Sequence, residues 1–182
     1  YHAKENTDGT YESHGSELSE DLINKILQIN PNVGFIMTAG DIVDTGGNSH
    51  TWDVFFSESN SLKTLPRLGV AGNHEYYISG TGQSDGKYQK AHYATPYNGP
   101  STQKGLSGYV VYNGVLILLI DNEDARGRNE LIAWMDDVLY NVEYEYSIAI
   151  MHSPIYYEDH ETSNKDRDEV MMAIFEKHCV DL

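Results

Sequence analysis

The segment VGFIMTAGDIVDTGGN, residues 33–48, carries the strongest fold signal in the chain. Its apolar first half is typical of a strand inside a buried sheet, and this strand ends in Asp41. A carboxylate at the end of such a strand is held at the rim of the sheet, where a ligand can reach it. The second aspartate, Asp44, and the glycine pair after it need separate explanations.

Length, composition and charge limit the class of protein. The chain has 182 residues, of which 40% are hydrophobic and 22% charged, as in an ordinary globular domain. No apolar stretch reaches about 20 residues, so no membrane-spanning segment is predicted. The net charge of −16 repels nucleic acid, and a phosphate-handling function would require a metal cation. We expect the lone cysteine, Cys179, to be a buried thiol.

Hydrophobic periodicity predicts alternating helices and strands. Helices are predicted at 16–29, around Trp52, Phe55 and Phe56 facing inward, at 128–140 and at 166–178. The apolar stripe of the first helix consists of Leu18, Leu22 and Ile26, with Ile23 and Leu27 beside them. Strands are predicted at 33–41, at 67–72, at 109–121 as a hairpin turning at Asn113-Gly114, and at 146–152. The segment 76–106, rich in Gly, Tyr and Ser, is predicted to be a long surface loop beside a binding cleft.

The predicted strands end in residues that can bind a cation: Asp41, Asn73, Asp121 and His152. Carboxylate, amide oxygen and imidazole together suit Mn, Fe, Zn or Mg, and the thiolates of a structural zinc site are missing. Each residue also has a simpler explanation. Asp41 could be a turn residue, Asn73 a left-handed turn residue and His152 a hydrogen-bonded core histidine. Their common position at strand ends favours a metal-binding rim.

Three short motifs resemble those of a known family. GDIVD at 40–44, GNHE at 72–75 and MHSP at 151–154 are similar, in order and strand context, to motifs of the calcineurin-like metallophosphoesterases. The resemblance is closest to the bacterial branch related to purple acid phosphatases. It implies an α/β fold, a mixed-sheet αββα sandwich, in one catalytic domain over residues 1–182. The family's first and last motifs have no match, so we expect this domain to be incomplete at both termini.

The resemblance also implies a role for each motif residue. Asp41 would bridge two divalent metal ions, and Asn73 and His152 would bind the second of them. His74 would meet the phosphoryl group or its leaving oxygen, and Asp44 would orient His74. A helix cap near Thr45 is an alternative explanation for Asp44.

Tyrosines next to two of these motifs are candidates for the wall of the substrate pocket. Tyr76 and Tyr77 follow GNHE, and Tyr156 follows MHSP. An exposed position without a ligand is an equally good explanation for each of them.

The sequence differs from two groups of relatives at residues that affect metal and substrate binding. Asp44 stands where the purple enzymes have a metal-binding tyrosine, and Thr45 stands where calcineurin-type phosphatases have an arginine.

The predicted function is hydrolysis of a small phosphomonoester or phosphodiester by a hydroxide that two metal ions activate. The alternative is a non-catalytic domain that binds a metal or a partner on the same fold. A nuclease of the same superfamily is disfavoured because the chain is acidic and has no basic stripe. The resemblance to the bacterial branch implies an extracellular or cell-surface protein.

Overall fold

The computed structural model describes residues 2–6, 8–14, 16–58, 60–79, 82–124, 126–155 and 165–182. The chain divides into two compact units, Tyr1–Ala94 and Thr95–Leu182. The single catalytic domain over residues 1–182 stays a prediction. None of the described helices combines the length and the apolar character needed to cross a lipid bilayer.

The first unit contains four strands and three helices among its described residues. The strands are β1 (His2–Glu5), β2 (Tyr11–His14), β3 (Ile36–Thr38) and β4 (Arg67–Gly69). The helices are α1 (Ser16–Ile29), α2 (Ser49–Glu58) and α3 (Lys87–His92). β1 and β2 form an antiparallel hairpin, which the sequence analysis did not predict because both strands are mostly polar. β3 and β4 pair in parallel, so their carboxyl ends lie side by side.

The core of the first unit is smaller than the periodicity of the sequence suggested. Val43, Trp52, Phe55 and Tyr93 form its buried cluster, which confirms the inward orientation of Trp52 and Phe55. The predicted stripe on α1 is wrong at Leu22, which is 59% exposed, and at Ile26, which is also exposed. Ile23, which the prediction places beside them, packs against the core cluster, and the side chain of Leu18 lies outside the described residues. The described part of the unit offers only short strands against which the rest of the stripe can pack. For the same reason β3 is only partly buried, contrary to the prediction of a fully buried strand.

The second unit is a three-stranded sheet packed against two helices. The strands are β5 (Gly108–Tyr112), β6 (Val115–Leu119) and β7 (Tyr146–Ile150), and the helices are α4 (Arg128–Asn141) and α5 (Lys165–His178). β6 lies in the middle, antiparallel to β5 and parallel to β7. The turn between β5 and β6 has positive φ angles at Asn113 (48°) and Gly114 (80°), as predicted for a type I′ turn. Parallel and antiparallel pairing with alternating helices confirms the α/β class with a mixed sheet.

The core of the second unit is formed by β6 and its two helices. Leu116, Leu118 and Ile120 pack against one apolar side of α4 and against Met171 and Ile174 of α5. β6 is buried over most of its length because it has a neighbour on each side and helices over it. This explains why its sequence is continuously apolar rather than alternating.

Two predictions about the surface are wrong. Cys179 is exposed, not buried. It has a φ of 54° directly after α5, where the N–H of Val180 donates to the carbonyl of Phe175, so Cys179 ends the helix as a left-handed cap. The segment 76–106 is not a surface loop throughout. It includes α3 and a set of buried residues: Gln89, Tyr93, Thr95, Gln103 and Leu106.

Candidate functional site

The candidate site in the first unit forms where the loops after β3 and β4 touch. Gly40 has a φ of 87° and Asp41 a φ of 55°, so the chain turns sharply as it leaves β3. A Cβ atom at Gly40 would lie 2.4 Å from the backbone nitrogen of Gly72, and one at Gly72 would lie 2.2 Å from Asp41 Oδ1. Both positions therefore require glycine. Asp41 Oδ1 accepts a hydrogen bond from the backbone N–H of His74 at 3.1 Å.

A buried carboxylate joins these two loops. Glu75 is 1% exposed and accepts backbone N–H bonds from Asp41 (2.8 Å), Ile42 (2.8 Å) and Gly72 (2.6 Å), with Val43 at 3.4 Å. Burial raises the pKa of Glu75, and these N–H donors act in the opposite direction. Glu75 is not among the residues predicted for the site, and its place in the GNHE motif was the available signal.

His74 is oriented by Asp44, but through the backbone and not through the carboxylate. The Nδ1 atom of His74 lies 2.9 Å from the carbonyl oxygen of Asp44 and 3.6 Å from its carboxylate oxygen Oδ1. A carbonyl oxygen only accepts, so Nδ1 carries a hydrogen and Nε2 is the ring nitrogen that this bond does not use. Asp44 does not cap a helix, since α2 begins at Ser49 and Asn48 accepts the N–H of His50 there.

Asn73 and Tyr77 are hydrogen-bonded to each other, whereas Tyr76 is buried. Asn73 has a φ of −64°, which removes the left-handed turn as its explanation. Its amide nitrogen donates to the hydroxyl of Tyr77 at 2.6 Å, so Oδ1 is the atom with which Asn73 would bind a cation. The Tyr77 ring also packs on the His74 ring, with 4.6 Å between centroids. Tyr77 is 45% exposed, whereas Tyr76 is 5% exposed and contributes to packing.

The glycine pair after Asp44 lets a third segment approach the GNHE motif. Gly46 N–H donates to the carbonyl of His74 at 2.9 Å, and Gly47 N–H donates to that of Tyr77 at 2.8 Å. A Cβ atom at Gly46 would lie 2.2 Å from the carbonyl oxygen of Glu75, so no other residue fits. Trp52 on α2 anchors this segment by donating its indole N–H to the carbonyl of Gly46 at 2.9 Å.

The second unit carries His152, half-buried, two residues after β7 ends at Ile150. Asp121, which follows β6, is fully buried and accepts the N–H groups of Glu123 and Asp124. This carboxylate closes a turn directly after β6, and its place on a metal-binding rim stays a prediction.

The structure thus brings five sequence-predicted residues together in the first unit: Asp41, Asp44, Asn73, His74 and Tyr77. His152 belongs to the second unit, and its approach to Asp41 stays a prediction. Tyr156 lies outside the described residues. Within the described ranges, no three His, Cys, Asp or Glu side chains form a group that could hold a metal ion.

The donor set of the first unit nevertheless fits a hard or borderline divalent cation. An ionised carboxylate has about four acceptor positions, so the Asp41 carboxylate can accept the N–H of His74 and still bind a cation. The amide nitrogen of Asn73 donates to the Tyr77 hydroxyl, so the amide oxygen is the atom that would bind the cation. Carboxylate and amide oxygens are the ligands that such cations prefer.

A comparison with models of protein families shows to which family the chain belongs. Residues 13–182 match the model of the calcineurin-like phosphoesterases. The chain belongs to this family. A comparison with curated proteins finds no match. Calcineurin-like phosphoesterases are metal-dependent hydrolases of phosphoester bonds as a group, and the α/β fold with mixed sheets is consistent with theirs. The bacterial branch related to purple acid phosphatases stays a prediction.

We expect Glu75→Gln to destabilise this calcineurin-like phosphoesterase by about 3 kcal/mol, because the glutamine amide group would face two backbone N–H donors that then lack an acceptor. Urea unfolding followed by circular dichroism measures the change. Asp53→Asn is the matched control, since it also removes one charge from the first unit but its side chain is 73% exposed. Equal stability of the two variants would contradict the role of Glu75 in joining the loops.

Proposed function

We propose that this chain is a metal-dependent phosphoesterase that hydrolyses a small phosphorylated substrate, a phosphomonoester or a phosphodiester. The observation that supports this most directly is that the buried Glu75 carboxylate joins the loops after β3 and β4, where Asp41 Oδ1 accepts the N–H of His74. Two divalent cations, when bound, supply an activated water and neutralise the phosphoryl oxygens. Mn, Fe and Zn suit the donor set.

Three residues hold the metal ions in this proposal. Asp41 contributes a carboxylate from the loop after β3, and Asn73 contributes an amide oxygen from the loop after β4. His152 contributes an imidazole from the loop after β7. The acidic chain, with a net charge of −16, would repel an anionic substrate, so the cations are also needed to admit it.

His74 acts on the reacting phosphoryl group rather than on the metals. Because its Nδ1–H donates to the carbonyl oxygen of Asp44, a second proton on the ring would sit on Nε2, and from there it would pass to the leaving oxygen. Tyr77 packs on the ring and limits its rotation. Tyr77 and Tyr156 would contact the organic part of the substrate, whereas the burial of Tyr76 leaves it a supporting role. An extracellular or cell-surface location is part of the same proposal.

The proposal is tested by hydrolysis of p-nitrophenyl phosphate and bis-p-nitrophenyl phosphate in the presence of Mn²⁺ or Zn²⁺. We expect turnover that a chelator abolishes and that added metal restores, because the attacking water depends on the cations. Turnover that survives complete metal removal would contradict the proposal. Metal binding without hydrolysis of either compound would favour the alternative, a non-catalytic metal-binding or partner-binding domain.

A further inference from the structure

The end of the β6–β7 ladder is extended by a side chain. The last backbone bond between these strands runs from the N–H of Ile120 to the carbonyl of Ile150, at 2.9 Å. Beyond it, the Asn122 amide nitrogen donates to the carbonyl of Ser153 at 2.8 Å, and the Ser153 N–H donates to Asn122 Oδ1 at 3.2 Å. The Asn122 side chain therefore pairs with Ser153 as a backbone peptide group would in a ladder.

Burial and further hydrogen bonds hold the segment that carries Asn122 in place. Asn122 is 4% exposed, and the buried Asp121 carboxylate closes the turn that follows it. From the other side, the Gln103 amide donates to the carbonyls of Asp121 (3.3 Å) and Asp124 (3.2 Å). Buried hydrogen bonds of this kind are costly to lose, because the remaining partner stays away from water.

The residue held in this way directly follows His152. The Ser153 N–H belongs to the peptide plane that also contains the carbonyl of His152, and the Ser153 carbonyl belongs to the next plane. Fixing both planes limits how the loop after β7 can turn and therefore where the His152 imidazole points. Glu123 adds a third contact, since its carboxylate accepts the Ser153 hydroxyl.

We propose that Asn122 is a positioning residue for His152: its two bonds to Ser153 hold the loop in the conformation that presents the imidazole to a divalent cation. The inference rests on the proposed function for the identity of the ligand, but the hold on the loop is a property of the second unit alone. Residues that orient a metal-binding histidine typically contribute about 10- to 100-fold in metal affinity.

The chain contains a matched control in the same unit. Asn98 makes the same two bonds to a backbone residue, donating to the carbonyl of Tyr109 and accepting its N–H, both at 3.0 Å. Tyr109 lies on β5, at the far side of the sheet from β7. An Asn→Asp exchange at either position keeps the shape and the acceptor but replaces the amide donor with an oxygen that faces a carbonyl oxygen.

The test compares Asn122→Asp and Asn98→Asp with the unchanged protein in two measurements. Amide hydrogen exchange of the metal-free protein reports the hold on each loop. We expect faster exchange at His152 and Ser153 only in Asn122→Asp, and around Tyr109 only in Asn98→Asp. Titration with Mn²⁺ alone, followed by calorimetry, should show affinity at least about 10-fold weaker in Asn122→Asp and unchanged in Asn98→Asp.

Three outcomes would overturn the inference: unchanged exchange at Ser153 in Asn122→Asp, unchanged Mn²⁺ affinity in that variant, or equal weakening in both variants. The last result would mean a general loss of stability. Failure of the unchanged protein to bind Mn²⁺ would instead overturn the proposed function. The exchange measurement would still decide, in that case, whether Asn122 holds the histidine loop.

Discussion

Replacing His74 with alanine is expected to lower turnover by about 10²- to 10⁴-fold, the usual cost of losing one general acid, while the metals stay bound. The reason is the geometry of the ring. Nδ1–H donates to the carbonyl of Asp44, so a proton for the leaving oxygen would come from Nε2. Steady-state kinetics on a phosphomonoester and a phosphodiester measure the loss, and elemental analysis measures the metal content.

His50→Ala is the matched control for this prediction. His50 lies in the same unit on α2, and its side chain is 70% exposed, so its loss should change neither turnover nor metal content. Undiminished turnover of His74→Ala on both substrates would contradict the assigned role. Loss of metal in that variant would show that His74 binds the cation instead.

Asp44→Asn should lower turnover in the same direction but much less. The backbone carbonyl that accepts from His74 is unaffected by this exchange, and the carboxylate lies 3.6 Å from Nδ1, beyond ordinary hydrogen-bond distance. The negative charge of the carboxylate still acts on the ring across this distance. A loss as large as that of His74→Ala would mean that the carboxylate, and not the carbonyl, orients the ring.

Removing a metal donor is the second change with a large expected effect. Asn73→Ala and His152→Ala should each weaken metal binding by about 100-fold or more, since each removes a ligand atom rather than a residue that supports one. In Asn73→Ala the Tyr77 hydroxyl also loses its amide partner. Metal content after dialysis and Mn²⁺ titration of the folded variants measure the effect.

Controls for these variants lie on exposed surfaces. Asn141→Ala removes an asparagine at the end of α4 whose side chain bonds only to a neighbouring turn of the helix, at Asp137. His50→Ala again serves as the histidine control. If Asn73→Ala and His152→Ala both keep the stoichiometry and affinity of the unchanged protein, the ligand assignment is wrong.

Local signals in the sequence were sufficient for most helices and strands, although not for the β1–β2 hairpin or for α3. Asn113-Gly114 predicts its turn because few other residue pairs accept two positive φ angles. The apolar run 115–120 predicts a strand, and the helices at 128–140 and 166–178 follow from residue spacing. Asp41 and Asn73 could be selected because each follows the apolar residues of a strand, whereas His74 was selected because GNHE resembles a family motif. These properties depend on neighbouring residues only, which a single sequence displays.

Only the tertiary structure decided which atoms act. Asp44 holds His74 through its carbonyl, Glu75 joins loops that are 33 or 34 residues apart, and Gly46 is required by the backbone of Glu75. The exposure of Leu22 on α1 was likewise unpredictable from its periodic spacing. The sequence by itself therefore determined which residues reach the strand ends, because hydrophobic pattern and turn chemistry are local. The distances among them depend on the parallel register of β3 with β4 and of β6 with β7, which brings together segments that are far apart in the chain.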